Sequence, residues 1–275
     1  MNPFSAYVPC FNNALTVATA LDSLQRQTPV PAELFLVDDG SADSSRSIAD
    51  QLDVPVVAMG LNTGRGAVRA RAMQLAHCEF VVCCDATNHL PADFAARALR
   101  WFADPKVAAV FGRIWQDEPR SLADRWRGRH LFKVQDRLAV QHRALLSTYG
   151  CMLRRLAVLE VGNFDSSLRH SEDADLGHRL LAAGFDVISD PHLHVISGVS
   201  NTKRQVLERY WRWYAGAHED VSFYGYAKQV WYSLRVMVQH DIRDGDLSAI
   251  PLSLFCPHYQ FWKSWWRGLS GRVQK

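Results

Sequence analysis

The sequence predicts an α/β fold, a mixed and mostly parallel sheet flanked by helices, with a helical extension rich in aromatics at its C-terminal end. Two observations carry this. Short apolar runs alternate with helical patterns over the first 115 residues, and from Lys203 onward the chain reads as helices crowded with Tyr210, Trp211, Trp213, Tyr214, Trp231 and Tyr232. Strand, loop and helix repeated in that way imply parallel pairing, with polar residues at the strand ends as the informative ones.

Residues 6–9 read as a first strand, and 14–25 carry Leu15, Ala18, Leu21 and Leu24 at helical spacing. Residues 33–37 form a second strand that stops at Asp38-Asp39-Gly40-Ser41, where Ser41 is expected to cap a helix over 41–52. A third strand spans 54–59. Gly64-Arg65-Gly66 then opens a helix to about residue 77, and 79–84 is a wholly apolar strand that ends at Asp85. A helix over 91–102, a strand over 107–114, an Arg-rich stretch over 121–146 and a strand over 185–189 follow. The expected organisation is a core over 1–200, divided into halves at 115, and a helical extension over 201–275.

With 275 residues, 48% hydrophobic and 21% charged, the chain can bury a large core, and disorder is excluded. A net charge of +3 is too small for a nucleic-acid partner. Its six cysteines form no CxxC pair, so a zinc site is not expected. No stretch reaches the ~18 apolar residues of a spanning helix, and residues 1–9 lack the pattern of a signal peptide, so the chain is expected in the cytoplasm.

Five clusters could carry chemistry. Asp38 and Asp39 are adjacent carboxylates after a strand; they either accept protons from a base or build an Asx turn. Asn62 to Gly66, with Arg65, Arg69 and Arg71, combines a helix N-terminus with positive charge, which suits a diphosphate or is simply a solvated loop. A dinucleotide fingerprint is ruled out there because it should follow the first strand. Asp85 can hold a ribose hydroxyl or a cation, or cap a turn. Glu172, Asp173 and Asp175 begin a helix whose dipole favours acids, and one of them could be a general base. His192 and His194 are expected in a loop after a strand end.

In this order the clusters resemble the family 2 glycosyltransferases from Tyr7 to about Ser200. Tyr-Val-Pro-Cys-Phe-Asn-Asn at 7–13 resembles the family's first strand and loop, and Val-Asp-Asp-Gly-Ser at 37–41 its base-binding turn. Asn62, Gly64, Ala70 and Arg71 resemble the segment before the central strand, and Val161 to Asp165 with Glu172-Asp173 the acceptor-side block. The resemblance implies a GT-A type nucleotide-binding fold and inverting transfer of one sugar from a nucleoside-diphosphate sugar, UDP before GDP, to a glycan or lipid-linked acceptor. It implies nucleotide contacts at Pro9, Phe11, Asn12, Asp38, Asp39, Asn62, Gly64, Arg71, Asp85 and Ala86. Asp173 would be the base, with Glu172 and Arg179 on the acceptor side.

The family's metal motif, Asp-x-Asp, is Asp85-Ala86-Thr87 here. Mg²⁺ or Mn²⁺ would therefore rest on Asp85, Thr87 and His194, a weakened set, and a protein that binds the nucleotide sugar without turnover is the rival reading. The letters at 205–211 have the wrong spacing for a processive synthase. At 259–275, Tyr259, Phe261, Trp262, Trp265 and Trp266 alternate with Lys263, Arg267, Arg272 and Lys275. These rings either pack on the protein's own core or sit at a membrane interface.

Overall fold

The computed structural model describes residues 3–116, 119, 121–134, 139–214 and 222–273. It divides into two units, Met1–Trp115 with Arg137–Val199, and Gln116–Asp136 with Ser200–Lys275. Residues 116–136, read from sequence as part of the core, thus group with the C-terminal helices.

The first unit contains one eight-stranded sheet. Its strands are β1 (Phe4–Cys10), β2 (Glu33–Asp38), β3 (Val56–Ala58), β4 (Phe80–Cys84), β5 (Asn88–His89), β6 (Val107–Trp115), β7 (Gly150–Arg154) and β8 (Asp186–Ser197), in the order β3-β2-β1-β4-β7-β6-β8-β5. Pairings among β1 to β4 and between β6 and β8 are parallel, whereas β7 runs antiparallel to β4 and β6 and β5 antiparallel to β8.

Both faces of the sheet are covered, which is why β4 is apolar at every position. Phe80, Val82 and Cys84 face one core with Val17, Leu21 and Leu24 of α1 (Val17–Gln25). Between α1 and α3 lies α2 (Ser45–Gln51). Val81 and Cys83 face the other core with Val68, Ala72 and Met73 of α3 (Arg65–Leu75). Phe94 of α4 (Phe94–Leu99) joins the first core.

The second unit begins with α5 (Leu122–His130), which opens on a reciprocal capping box between Ser121 and Asp124. Next along the chain, in the first unit, come α6 (Arg155–Glu160) and α7 (Glu172–Ala182), whose Val158, Leu176 and Leu180 complete the second core of the sheet. The second unit continues with α8 (Lys203–Tyr214), α9 (Phe223–Tyr232), a π-helical turn Ser233–Met237, α10 (Val238–Arg243) and α11 (Ile250–Val273).

Two local expectations are corrected. Ser41 does not cap α2, whose N-cap is Ser44; the Ser41 hydroxyl instead accepts the Asn12 N–H at 2.9 Å. His192 and His194 are not in a loop, because β8 runs on to Ser197.

Candidate functional site

Wherever β1, β2 and β4 run parallel, their C-terminal ends emerge on one edge of the sheet, the edge at which open α/β sheets bind ligands. There a pocket of about 420 Å³ is lined by Pro9 and Cys10 at the end of β1, Phe11 and Asn13 just beyond it, Asp39 after β2, and Asp85, Ala86 and Thr87 after β4. Asn62, Gly64, Arg65, Val68 and Arg69 from the α3 entry, with Arg169, close it.

The two adjacent aspartates have separate tasks. Asp38 is fully buried and accepts the N–H of Ser41, three residues on, at 3.1 Å, so it fastens the turn after β2. Asp39 lines the pocket. Its carboxylate accepts the Thr63 N–H and hydroxyl, both at 2.7 Å, and the Gly64 N–H at 2.9 Å. Of roughly four lone-pair positions three are used, so Asp39 both anchors the α3 entry and keeps one acceptor position.

Glycine is required at that entry. Gly64 has φ +98, and a side chain there would meet Arg169 at 3.0 Å. At Gly66 a Cβ would lie 2.0 Å from the Asp165 carbonyl oxygen, so only glycine lets the 165–168 loop pack on α3. Asn62 is held by Arg169, which donates to both its backbone and side-chain oxygens.

Arg69 is the centre of charge. It is 2% exposed and donates Nη2 to Asp85 Oδ1 at 2.8 Å, Nε to Glu172 Oε1 at 3.0 Å and Nη1 to Cys83 Sγ at 2.7 Å. Burial opposes its charge, but Cys83, Asp85, Tyr7 and Glu172 more than compensate and hold its pKa well above the ordinary value. Glu172 Oε2 is buried without a partner. Arg69 therefore ties the strand-end carboxylate to the start of α7.

Asp173 is the next residue on α7. Burial, and then the neighbouring Glu172, raise its carboxyl pKa, while Arg69 pulls the other way. Its Oδ1 accepts the Ala174 N–H at 2.9 Å. A carboxylate of raised pKa is a better proton acceptor than an ordinary one.

The pocket gathers Pro9, Phe11, Asp39, Asn62, Gly64, Asp85, Ala86 and Thr87, all expected from sequence. Asn12, Asp38, Arg71, Glu172, Asp173, Arg179 and His194 are not among its lining residues. Asn12 has φ +53 and its side-chain oxygen accepts the Ala42 N–H, so it fastens the β1 loop to the turn after β2. Arg71 lies on the exposed side of α3; two residues along a helix turn about 200°, and Arg69 occupies the inward side. His194 sits on β8 opposite Arg113, exposed and stacked on Trp115 with ring centroids 5.3 Å apart. Arg179 pairs with Asp175 at 2.6 Å and donates to the Val161 carbonyl, so it braces α7 against the preceding loop. Arg65 and Arg69, read from the sequence as charge suited to a diphosphate, do line the pocket, whereas Arg169 is a lining residue that the sequence did not single out.

The residues at Asp85 make a poor cation site on their own. Asp85 already gives Oδ1 to Arg69, Thr87 offers a neutral oxygen, and no group of three or more His, Cys, Asp or Glu suited to a metal occurs among the described residues. One carboxylate and one hydroxyl are too few hard ligands to hold Mg²⁺ or Mn²⁺ without oxygens from a bound molecule.

With this geometry defined, the glycosyl transferase family 2 model matches residues 5–162, more than half of the chain. The chain belongs to glycosyl transferase family 2. The family match takes in every strand-end carboxylate of the pocket and stops short of α7. The succinoglycan biosynthesis protein ExoA of Rhizobium meliloti (strain 1021) is 30% identical over 193 residues, 66% of this chain and 58% of that protein. Matched stretches span 30% to 58% of the curated relatives, so the chain covers less than two thirds of their length.

Among solved structures, mannosyltransferase PcManGT from Pyrobaculum calidifontis, in complex with GDP-Man and Mn²⁺, superposes with a TM-score of 0.60 at 18% identity, over 93% of this chain and 74% of that one. S. aureus TarS 1-349 in complex with UDP gives 0.58 at 16% identity, over 99% and 92%. These likenesses establish the GT-A type fold.

Proposed function

We propose that this family 2 chain transfers a single sugar from a nucleoside-diphosphate sugar, a UDP-sugar before a GDP-sugar, to a hydroxyl of a glycan or lipid-linked acceptor, with inversion. The observation that carries the reading is Arg69, which joins the pocket carboxylate Asp85 to the Glu172-Asp173 start of α7. Donor pocket and proton acceptor are thereby held by one buried cation. The solved neighbours bind GDP-Man and UDP, which supports a nucleoside diphosphate as ligand.

In this reading the remaining acceptor position of Asp39 takes a proton from the base, the exposed Phe11 ring offers it a stacking surface, and Asp85 receives ribose hydroxyls. Asp173 accepts the proton of the acceptor hydroxyl as its oxygen attacks the anomeric carbon. The bond to the diphosphate breaks on the opposite face, and the electron pair leaves with it. Charge that builds on the diphosphate meets the α3 N-terminus, Arg65 and Arg169, fixed in place before the reaction. Asp85 and Thr87, together with oxygens of the donor, would hold a divalent cation when one is bound, and it would supply Lewis-acid stabilisation to the leaving group.

Calorimetry against nucleoside diphosphates and their sugars, with and without Mn²⁺, tests the pocket, and donor hydrolysis or transfer tests the chemistry. Asp173→Asn is expected to retain donor binding and to lose about 10²-fold or more in turnover. Equal turnover removes Asp173 from the reaction, and no nucleotide binding removes the pocket. Thr87 in place of a second acid favours one other reading, a binder that has lost transfer. It gains if the parent binds a sugar nucleotide but neither transfers nor hydrolyses it.

A further inference from the structure

The helix α11 is apolar on two sides. Its inner side packs within the second unit: Leu252 and Cys256 are buried, Trp126 Nε1 donates to Ser253 Oγ at 2.7 Å, and Trp211 Nε1 donates to Ser264 Oγ at 2.9 Å. Its outer side carries Leu254, Phe255, Trp262, Trp265 and Trp266 at helical spacing, with the three tryptophans 54%, 46% and 68% exposed. Ring contacts from Phe223 to Phe261, Trp262 and Trp265 continue this surface onto α9, where Trp231 is 61% exposed. Exposed large apolar side chains in such continuity mark an interaction surface.

Charge selects the partner. Residues 222–275 contain seven Lys and Arg but only three acids, Asp241, Asp244 and Asp246. Arg125 and Arg129 of α5 hold all three. Neither α9 nor α11 contains an acid, and Lys228 and Arg235 are exposed beside Trp231. A second copy presenting the same cationic face would be repelled. No helix among the described residues is long and apolar enough to cross a membrane.

We propose that the outer face of α9 and α11 is a docking surface for an anionic lipid bilayer, on which α11 lies in the plane of the headgroups. At 1.5 Å per residue its 24 residues extend over about 36 Å. Indole rings sit at headgroup depth, and Lys228 and Arg235 meet lipid phosphates. Lys275 and the side chains of Arg267 and Arg272 lie outside the described residues.

The test requires no sugar chemistry, so it stands or falls apart from the proposed transfer. The full chain is sedimented with vesicles of equimolar phosphatidylglycerol and phosphatidylcholine, and with phosphatidylcholine alone. Binding is expected to the anionic vesicles, to weaken as salt rises, and to fall about tenfold or more in the double substitution Trp262→Ser with Trp265→Ser. Lys228→Glu with Arg235→Glu, at exposed positions outside the core, is expected to weaken it to a similar degree, which keeps the test valid if the tryptophan variant fails to fold. The proposal is overturned if the parent stays in the supernatant at low salt, if folded variants sediment like the parent, or if the chain self-associates through this face without lipid.

Discussion

Arg69 and Arg71 are two residues apart on α3 and face opposite ways, with different consequences for substitution. Arg69→Met leaves Asp85 and the buried Glu172 without their shared partner, and losing one side of a buried ion pair costs about 3–5 kcal/mol. Arg71→Met on the exposed side should cost no more than about 0.5 kcal/mol. Denaturant unfolding of both variants checks this, and a nearly equal loss would refute the inward placement of Arg69. Part of this was legible in the sequence. Val68, Ala72 and Met73, set around Arg69 at helical spacing, mark that side of α3 as the apolar one, whereas matching the family segment by its letters selected Arg71. Asp39 and Asp85 were legible for a simpler reason, since a carboxylate that ends an apolar run in a parallel sheet has only the binding edge to occupy. The division of labour between Asp38 and Asp39 was not, because adjacent aspartates present the same chemistry until hydrogen-bond partners separate them.

Elements divide along the same line between local pattern and distant contact. β4 and α3 follow from apolar runs and periodicity, but β8 does not, because Asp190-Pro191 reads as a strand end. The ladder between β6 and β8 steps from Phe111↔Ser189 to Arg113↔His194, and the missing Pro191 N–H falls inside this irregularity, where no ladder bond is lost. That compensation lies on another strand and cannot be seen in the local sequence. α3 and the 165–168 loop depend on each other equally. Besides the Cβ clash, the Gly66 N–H donates to the Leu168 carbonyl at 3.0 Å. Gly66→Ala must push this loop away, and overpacking of this kind costs about 1–3 kcal/mol. The displacement also shifts Arg169, which lines the pocket, so nucleotide affinity should fall together with the melting temperature. A variant as stable as the parent that binds nucleotide equally would show that the loop does not set the α3 entry.

For the whole molecule, the two units hold together by different physics, and acid should tell them apart. The first buries an apolar sheet on both faces, whereas the second is organised around buried polar groups in which His130 and Arg129 share Asp241. Trp126, His240 and Ser253 pack around His130 as well. Burial first, and Arg129 and His240 next, disfavour the protonated imidazole; Asp241 opposes them, and the net shift of His130 is downward. With the folded pKa below the unfolded value of about 6.5, the unfolded chain takes up a proton first, so stability is full above that value and falls as pH drops towards the folded pKa. Asp241 adds a second loss further down. Burial works against its ionised form, but His130, Ser253 and Arg129 more than offset this and hold its pKa below the carboxylate range. Its contribution is present above about 3.9 and disappears as pH falls through the lower folded value. Denaturant midpoints followed by tryptophan fluorescence should therefore decline between pH 7 and pH 5 with a slope of at most about 1.4 kcal/mol per pH unit for the one imidazole. His130→Gln, which keeps a hydrogen-bonding side chain but cannot titrate, should flatten that slope and leave nucleotide binding by the first unit intact. A slope that survives the substitution would place the acid sensitivity elsewhere in the chain.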